Sequence, residues 1–211
     1  RARTLAEHRM IERAVEDYQR ALELNPTDYS LYREMATILE QAERLSEALR
    51  HWEVLSANTS KPGGGAWEEA LAHVVDLHSR LGTLESFVRT QQTLLKETPK
   101  NRHHALLLAQ AHLTLNHWTR AQKVLENSRK HFPKDALLLS LLVRALEGQN
   151  KAPQCLSVLR RLAELDPQRA RDGIERFSQW GNHGDEAIQL AQLLVDLNPT
   201  DTAAFAHLGQ L

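Results

Sequence analysis

The residues with the most chemical potential are eleven histidines, one cysteine and a run of three glycines. Paired imidazoles ligate zinc when they sit four apart on one helix face, as in His-Glu-x-x-His. Here His73 and His78 are five apart, as are His112 and His117, while the adjacent His103 and His104 diverge. No His-Glu-x-x-His occurs, so the histidines read as surface and groove-edge side chains and no metal is expected. A pH-sensitive groove would rest on their number alone. Cys155 lies in Gln154-Cys155-Leu156, inside an amphipathic pattern that wants a small buried residue, and so reads as core rather than nucleophile. Gly63-Gly64-Gly65 follows no strand and precedes no Lys-Ser/Thr pair, which makes it a loop and not a phosphate cradle. Glu68, Glu69 and Glu85 are helix-start acids. Trp52, Trp67, Trp118 and Trp180 fall at core positions of helices. No Ser/His/Asp, paired-carboxylate or nucleotide signature stands at a supporting spacing. No catalytic residue, cofactor or enzymatic activity is therefore expected.

Bulk properties narrow the class further. Apolar residues make up 42% and charged residues 25% of the 211, an ordinary globular balance. With 26 basic against 27 acidic side chains the net charge is -1, leaving no general footprint for a nucleic acid or an anionic membrane beyond a small local basic patch. The longest apolar stretch, Ala136 to Leu146, is broken by Ser140 and Arg144 and falls short of a bilayer span. Neither nucleic acid nor direct membrane insertion is expected. One cysteine leaves the redox compartment unread. A leader upstream of Arg1 would place the chain in the periplasm, and its lack in the cytoplasm.

The elements that position these residues are marked by prolines. Pro99, Pro133 and Pro167 are spaced by 34 residues, Pro199 follows after 32, and Pro26 precedes Pro99 by 73. The local sequences repeat too: Leu24-Asn25-Pro26-Thr27-Asp28 recurs as Leu197-Asn198-Pro199-Thr200-Asp201, with Leu165-Asp166-Pro167 a weaker copy. Proline disfavours helix in the residue before it, and Thr or Asp caps the helix that follows. Between prolines lie two amphipathic runs of about 13 residues, for example His104 to Leu115 and Trp118 to Lys130, joined by Asn116-His117. Comparable turns fall at Gly82 and Gly148-Gln149-Asn150. Alternation with period two is almost lacking, so the chain is expected to be all-α with about twelve or thirteen helices.

A 34-residue helix-turn-helix period with these residues resembles the tetratricopeptide repeat. Phe205-Ala206-His207-Leu208-Gly209 is similar to that family's first-helix pattern. Tyr32, Met35, Ala36 and Leu39 fill its slots in the second unit, and Ala105, Leu108, Ala109 and His112 in the fourth. Second-helix matches are Ala14, Tyr18 and Ala21, then Ala48 and Trp52, then Ala121 and Leu125. Phe87 and Gln91 depart from the pattern, and the unit after Pro167 lacks the first-helix signature. The resemblance implies one right-handed solenoid over 1–211. Its repeats are expected at 29–62, 66–101, 102–135, 136–169 and 170–201, with partial repeats at 1–28 and 202–211. Five surplus residues between Pro26 and Pro99 are expected in an Asn58 to Gly65 loop. Because both ends fall inside a repeat, the sequence is expected to belong to a longer protein, with self-association through exposed array ends.

The resemblance also implies a role: holding a protein or peptide in a groove lined by the first helix of each pair. One helical stripe per unit places Arg33, Thr37 and Gln41, then Asp76 and Arg80, in that groove. His103, Leu106, Gln110 and Thr114 follow, then Leu137, Ser140, Arg144 and Glu147. Leu106 and Leu137 would accept apolar side chains and the polar members would fix the peptide backbone. The Lys/Asn/Arg set with which some relatives clamp a chaperone's C-terminal carboxylate is missing, since no Asn follows Arg33 and Thr37. The resemblance equally admits a recruiting arm of a larger enzyme, such as a glycosyltransferase, or a part of a bacterial envelope or polysaccharide-export assembly.

Overall fold

A computed structural model describes residues 2–58, 65–179 and 184–197, together with the isolated positions 199, 202, 206 and 209. The expected match at Phe205 to Gly209, Trp180 and most of the Asn58 to Gly65 loop lie outside the described residues. Among those described there are eleven helices and no strand: α1 (Ala2–Leu24), α2 (Tyr29–Gln41), α3 (Leu45–Asn58), α4 (Gly65–Arg80), α5 (Leu84–Glu97), α6 (Arg102–Thr114), α7 (Trp118–Arg129), α8 (Ala136–Glu147), α9 (Ala152–Leu165), α10 (Pro167–Ser178) and α11 (Gly184–Leu197). The fold is an all-α helical repeat solenoid, and the chain divides into two compact units, 1–91 and 92–211.

In the first unit α1 packs on α2, α2 on α3 and α3 on α4. The apolar stripe of α2 puts Met35, Ala36 and Leu39 against Ala48, Trp52 and Leu55 of α3, all of them buried. Trp67 is buried as well and donates its indole N–H to the Ser56 carbonyl at 2.7 Å. In the second unit successive helices pack in order from α6 to α11, and first helices also meet one another, α6 on α8 and α8 on α10. Alanines stand where backbones come closest: Ala109, Ala121, Ala145 and Ala163 are fully buried. Gly173 of α10 goes further, since a Cβ there would lie 2.6 Å from the Leu159 side chain of α9.

The turns that join α2 to α3, α4 to α5, α6 to α7 and α8 to α9 are built one way. Glu43, Gly82, Asn116 and Asn150 take φ of 57°, 69°, 56° and 56°. The next residue's N–H then reaches back to a carbonyl of the preceding helix: Arg44 to Leu39, Thr83 to His78, His117 to His112 and Lys151 to Leu146, at 2.8–3.1 Å. This left-handed cap satisfies carbonyls that would otherwise be orphaned at a helix end. Helix starts are equally regular. Asp28, Asn101, Asp135 and Asp166 each accept a backbone N–H two or three residues on, at 3.1–3.2 Å. Asp166 ends α9 and caps α10, so Pro167 occupies the first turn of the next helix, where its missing N–H costs nothing. The 170 boundary expected from spacing is thereby reached three residues early.

Two glycines separate strain from packing. Gly148 has ordinary helical φ, but a Cβ on it would stand 2.3 Å from the Trp118 ring, whereas one on Gly82 would meet nothing within 4 Å. Gly82→Ala should therefore cost about 1 kcal/mol through backbone strain. Gly148→Ala should cost about 2 kcal/mol through overpacking. Urea denaturation of both variants measures the difference, and equal losses would refute the distinction.

Candidate functional site

On the first unit, α2 and α4 present Arg33, Thr37, Gln41, Asp76 and Arg80 at the surface. The two arginines are already engaged. Arg33 grips Glu69 with two nitrogens at 2.8 and 3.0 Å. Arg80 reaches Glu40 at 3.4 Å, Glu43 at 3.3 Å and Asp76 at 3.8 Å. Glu40 is the hub. Its side chain is 14% exposed, and its carboxylate also accepts from the Trp52 indole and pairs with His73 at 2.8 Å. His73 stacks flat on Trp52, with centroids 4.2 Å apart. A half-buried carboxylate is tolerable only because several groups converge on it. Helical projection left Glu40 out and took Glu69 only as a helix-start acid. The available signal was that both lie on first helices facing the chosen arginines.

On the second unit, α6 and α8 expose Thr114 and Arg144 and leave His103, Gln110, Leu137, Ser140 and Glu147 partly covered. Leu106, expected to receive a partner's side chain, is fully buried and belongs to the core. The reason is that α6 carries a leucine run from Leu106 to Leu108 and is apolar over more than one face. Glu147 pairs with Arg176 of α10 at 3.3 Å. Desolvation of the guanidinium against the helix surface and the positive Arg176 nearby push exposed Arg144 below its ordinary range. Arg102 of α6 holds Asp135, which is also the cap of α8, through two nitrogens, one at 3.0 Å. One carboxylate thus starts a helix and ties it to its neighbour.

Against the expectation of surface and groove-edge positions, several histidines turn inward, while His117 and His131 are exposed. His112 is 1% exposed, and burial, aided by His117 and Arg120, lowers its pKa to about 4. His103 is lowered to about 4 by burial and by the charges of His104 and Arg102. His78 stacks on Phe87 with centroids at 4.1 Å and shares a hydrogen bond with Thr83 at 2.8 Å. Helical periodicity places all of these on inward faces, and the count of histidines hid it. Cys155 is fully buried and its thiol is pushed up to about 12 by desolvation, so it supplies no thiolate nucleophile near neutral pH. Among the described residues no group of three or more His, Cys, Asp or Glu is placed to hold a metal ion, and no helix is long and apolar enough to cross a membrane.

Paired helices, recurring caps and first helices bearing mixed polar stripes define a helical-repeat protein. A tetratricopeptide-repeat family model matches residues 1–54 and 106–170, more than half of the chain, and the chain belongs to that family. No curated protein sequence matches it. Among solved structures it is similar to TTC0263, a thermophilic TPR protein of Thermus thermophilus, with a TM-score of 0.55 and 17% identity over 86% of this chain and 97% of that one. MamA from Desulfovibrio magneticus RS-1 gives 0.51 and 19% over 83% and 98%. YrrB, described as a TPR protein with an unusual peptide-binding site, gives 0.50 and 17% over 93% and 100%. At these identities the likeness is one of fold.

The buried groups carry two consequences for stability. Glu40→Ala leaves the Trp52 N–H, His73 and Arg80 without their shared acceptor and should cost about 2 kcal/mol in thermal or urea unfolding. Acid acts through His103 and His112. Folded, they stay neutral until pH nears 4, whereas unfolded they take up protons near the ordinary 6.5. Between those values the unfolded state holds more protons, so stability falls as pH falls, by up to about 1.4 kcal/mol per pH unit for each group. Unfolding midpoints measured from pH 7 to 4 should show a shallower slope for His112→Leu, and an unchanged slope would contradict the burial argument.

Proposed function

We propose that this chain is a protein-interaction scaffold that holds a peptide or protein segment against the solvent-facing stripes of its first helices. The observation that carries the reading is the division of labour on those helices. One face of α2, α6 and α8 is buried as core, while the opposite stripe offers polar side chains: the shorter Thr37 and Gln41 on α2, Gln110 and Thr114 on α6 and Ser140 on α8, and the longer Arg144 on α8. Short hydroxyls and amides suit the backbone amides of an extended segment without demanding a particular side chain. Family membership supports the reading, and the peptide-binding site in YrrB's description is consistent with it. Arg33 and Arg80 contribute less than their charge suggests, because they spend it on Glu69, Glu40 and Glu43. Their role is to hold α2 and α4 in register. The proposed scaffold uses no catalytic group.

The informative variants are therefore those whose side chains bear no interhelix load. A displayed random-peptide library selected on the purified chain should yield enriched sequences. Gln110→Ala with Thr114→Arg, and separately Arg144→Glu, should weaken the selected peptides about tenfold or more, with helicity and melting unchanged. Retention of full affinity by both variants would remove the stripe from the binding surface.

A further inference from the structure

Charge is balanced over the whole chain but not along it. Residues 96–134 carry eight Lys or Arg against two acids, Glu97 and Glu126. In the first unit Arg33, Arg44 and Arg80 are held in ion pairs. In the second, Lys100, Lys123, Arg129 and Lys134 make no hydrogen bond or ion pair among the described residues, and all four are exposed.

The fold gathers several of these cations at one edge of the second unit, where the loop after α5 and the loop after α7 come to the surface. A cavity of about 620 Å³ opens there, lined by Glu126, Arg129, Lys130, Pro133, Leu139 and Arg161. A second, of about 590 Å³, is lined by Thr98, Pro99, Lys100, Asn101 and His131. Lys130 and His131 are consecutive, so the loop after α7 contributes to the lining of both hollows. Arg161 spends part of its charge on the exposed Glu164, and Lys130 donates to the Asn127 amide at 3.3 Å. Neither partner is buried, and both exchange readily for a stronger acceptor.

We propose that this loop edge docks an acidic peptide segment, on a face distinct from the first-helix stripe and independent of it. Arg129, Lys130 and Arg161 around one proline-walled hollow, with Lys100 lining the second, match carboxylates spaced along an extended chain, and guanidinium groups take carboxylates in two-pronged fashion. A nucleic acid fits less well. Glu126 stands on the rim, where closely spaced phosphates would meet it, and neither hollow is lined by a Trp, Tyr or Phe on which bases could stack. The near-zero net charge adds no long-range attraction for a polyanion.

The test is fluorescence anisotropy on the full chain. The probes are a labelled peptide of alternating Glu and Ala, its Gln/Ala counterpart, and a labelled oligothymidylate of equal charge. At low salt, about 25 mM, the Glu/Ala peptide should bind, and at about 150 mM it should bind more weakly because surface attraction is screened. The triple variant Arg129→Glu, Lys130→Glu and Arg161→Glu should lose at least about tenfold in affinity. Arg129→Gln with Lys130→Gln, which creates no new repulsion within the fold, should lose about threefold and covers the case in which the triple variant unfolds. Thr114→Arg, on the first-helix stripe, should leave this binding unchanged, which separates failure here from failure of the scaffold reading. No binding at low salt, equal binding of the Gln/Ala peptide, full affinity in a folded charge-reversal variant, or tighter binding of the oligothymidylate would each overturn the proposal.

Discussion

An amphipathic helix of twelve to sixteen residues cannot bury its apolar face by itself, and the organisation of this protein answers that constraint. In the first unit α2 packs on α1 and α3 on both α2 and α4, and in the second α6 to α11 pack in order. Such stacking works only if every chain reversal returns the next helix at the same distance and angle. The four left-handed residues Glu43, Gly82, Asn116 and Asn150 supply that reversal with one hydrogen-bond pattern. Small residues then set the approach, to the point that Gly148 and Gly173 leave no room for a methyl group. Surface stripes on first helices are by-products of this arrangement, available for recognition because nothing else needs them.

The two units manage charge differently. In residues 1–91 the arginines of first helices are consumed by acids on neighbouring helices, with Glu40 gathering an indole, an imidazole and a guanidinium. Recognition there falls to neutral side chains such as Thr37 and Gln41. In residues 92–211 Asp135 ties α8 to α6 through Arg102 and Glu147 ties α8 to α10 through Arg176, while Lys100, Lys123, Arg129 and Lys134 are exposed. A polar ladder around Gln122 supplies lateral register instead. It accepts from Gln149 at 2.9 Å and from Lys151 at 2.8 Å, and donates to Glu126 at 2.7 Å.

Much of the fold was legible because prolines and turn residues act locally. The 34-residue intervals located the inter-pair boundaries, and Gly82, Asn116 and Asn150 announced three of the turns. The fourth turn falls on Glu43, a residue with no left-handed preference, so only the structure reveals it. Helical projection put Thr37, Thr114 and Arg144 on its stripes, and these three are exposed. It failed for Leu106, because α6 is apolar almost all round and periodicity cannot say which side a helix turns outward. It also could not see that Arg33 and Arg80 were spoken for, since their partners lie 36 and 40 residues away. The inward histidines were misread for a related reason. A residue type with an exposed average gives way to the face on which the helix places it.

Asp166 closes α9 and opens α10 within a single residue, so the junction holds no slack. Between α1 and α2, α5 and α6, and α7 and α8, four or six residues lie between the helices and can extend under load before a helix is disturbed. At Asp166 there is nothing to straighten. Unwinding of α10 from its first turn has to break the cap bonds that Asp166 accepts from the Arg169 backbone and guanidinium, at 3.1 and 2.9 Å. The joint therefore acts as a rigid coupling that transmits displacement between α9 and α10, and a mechanical failure there would begin with the cap rather than with a loop.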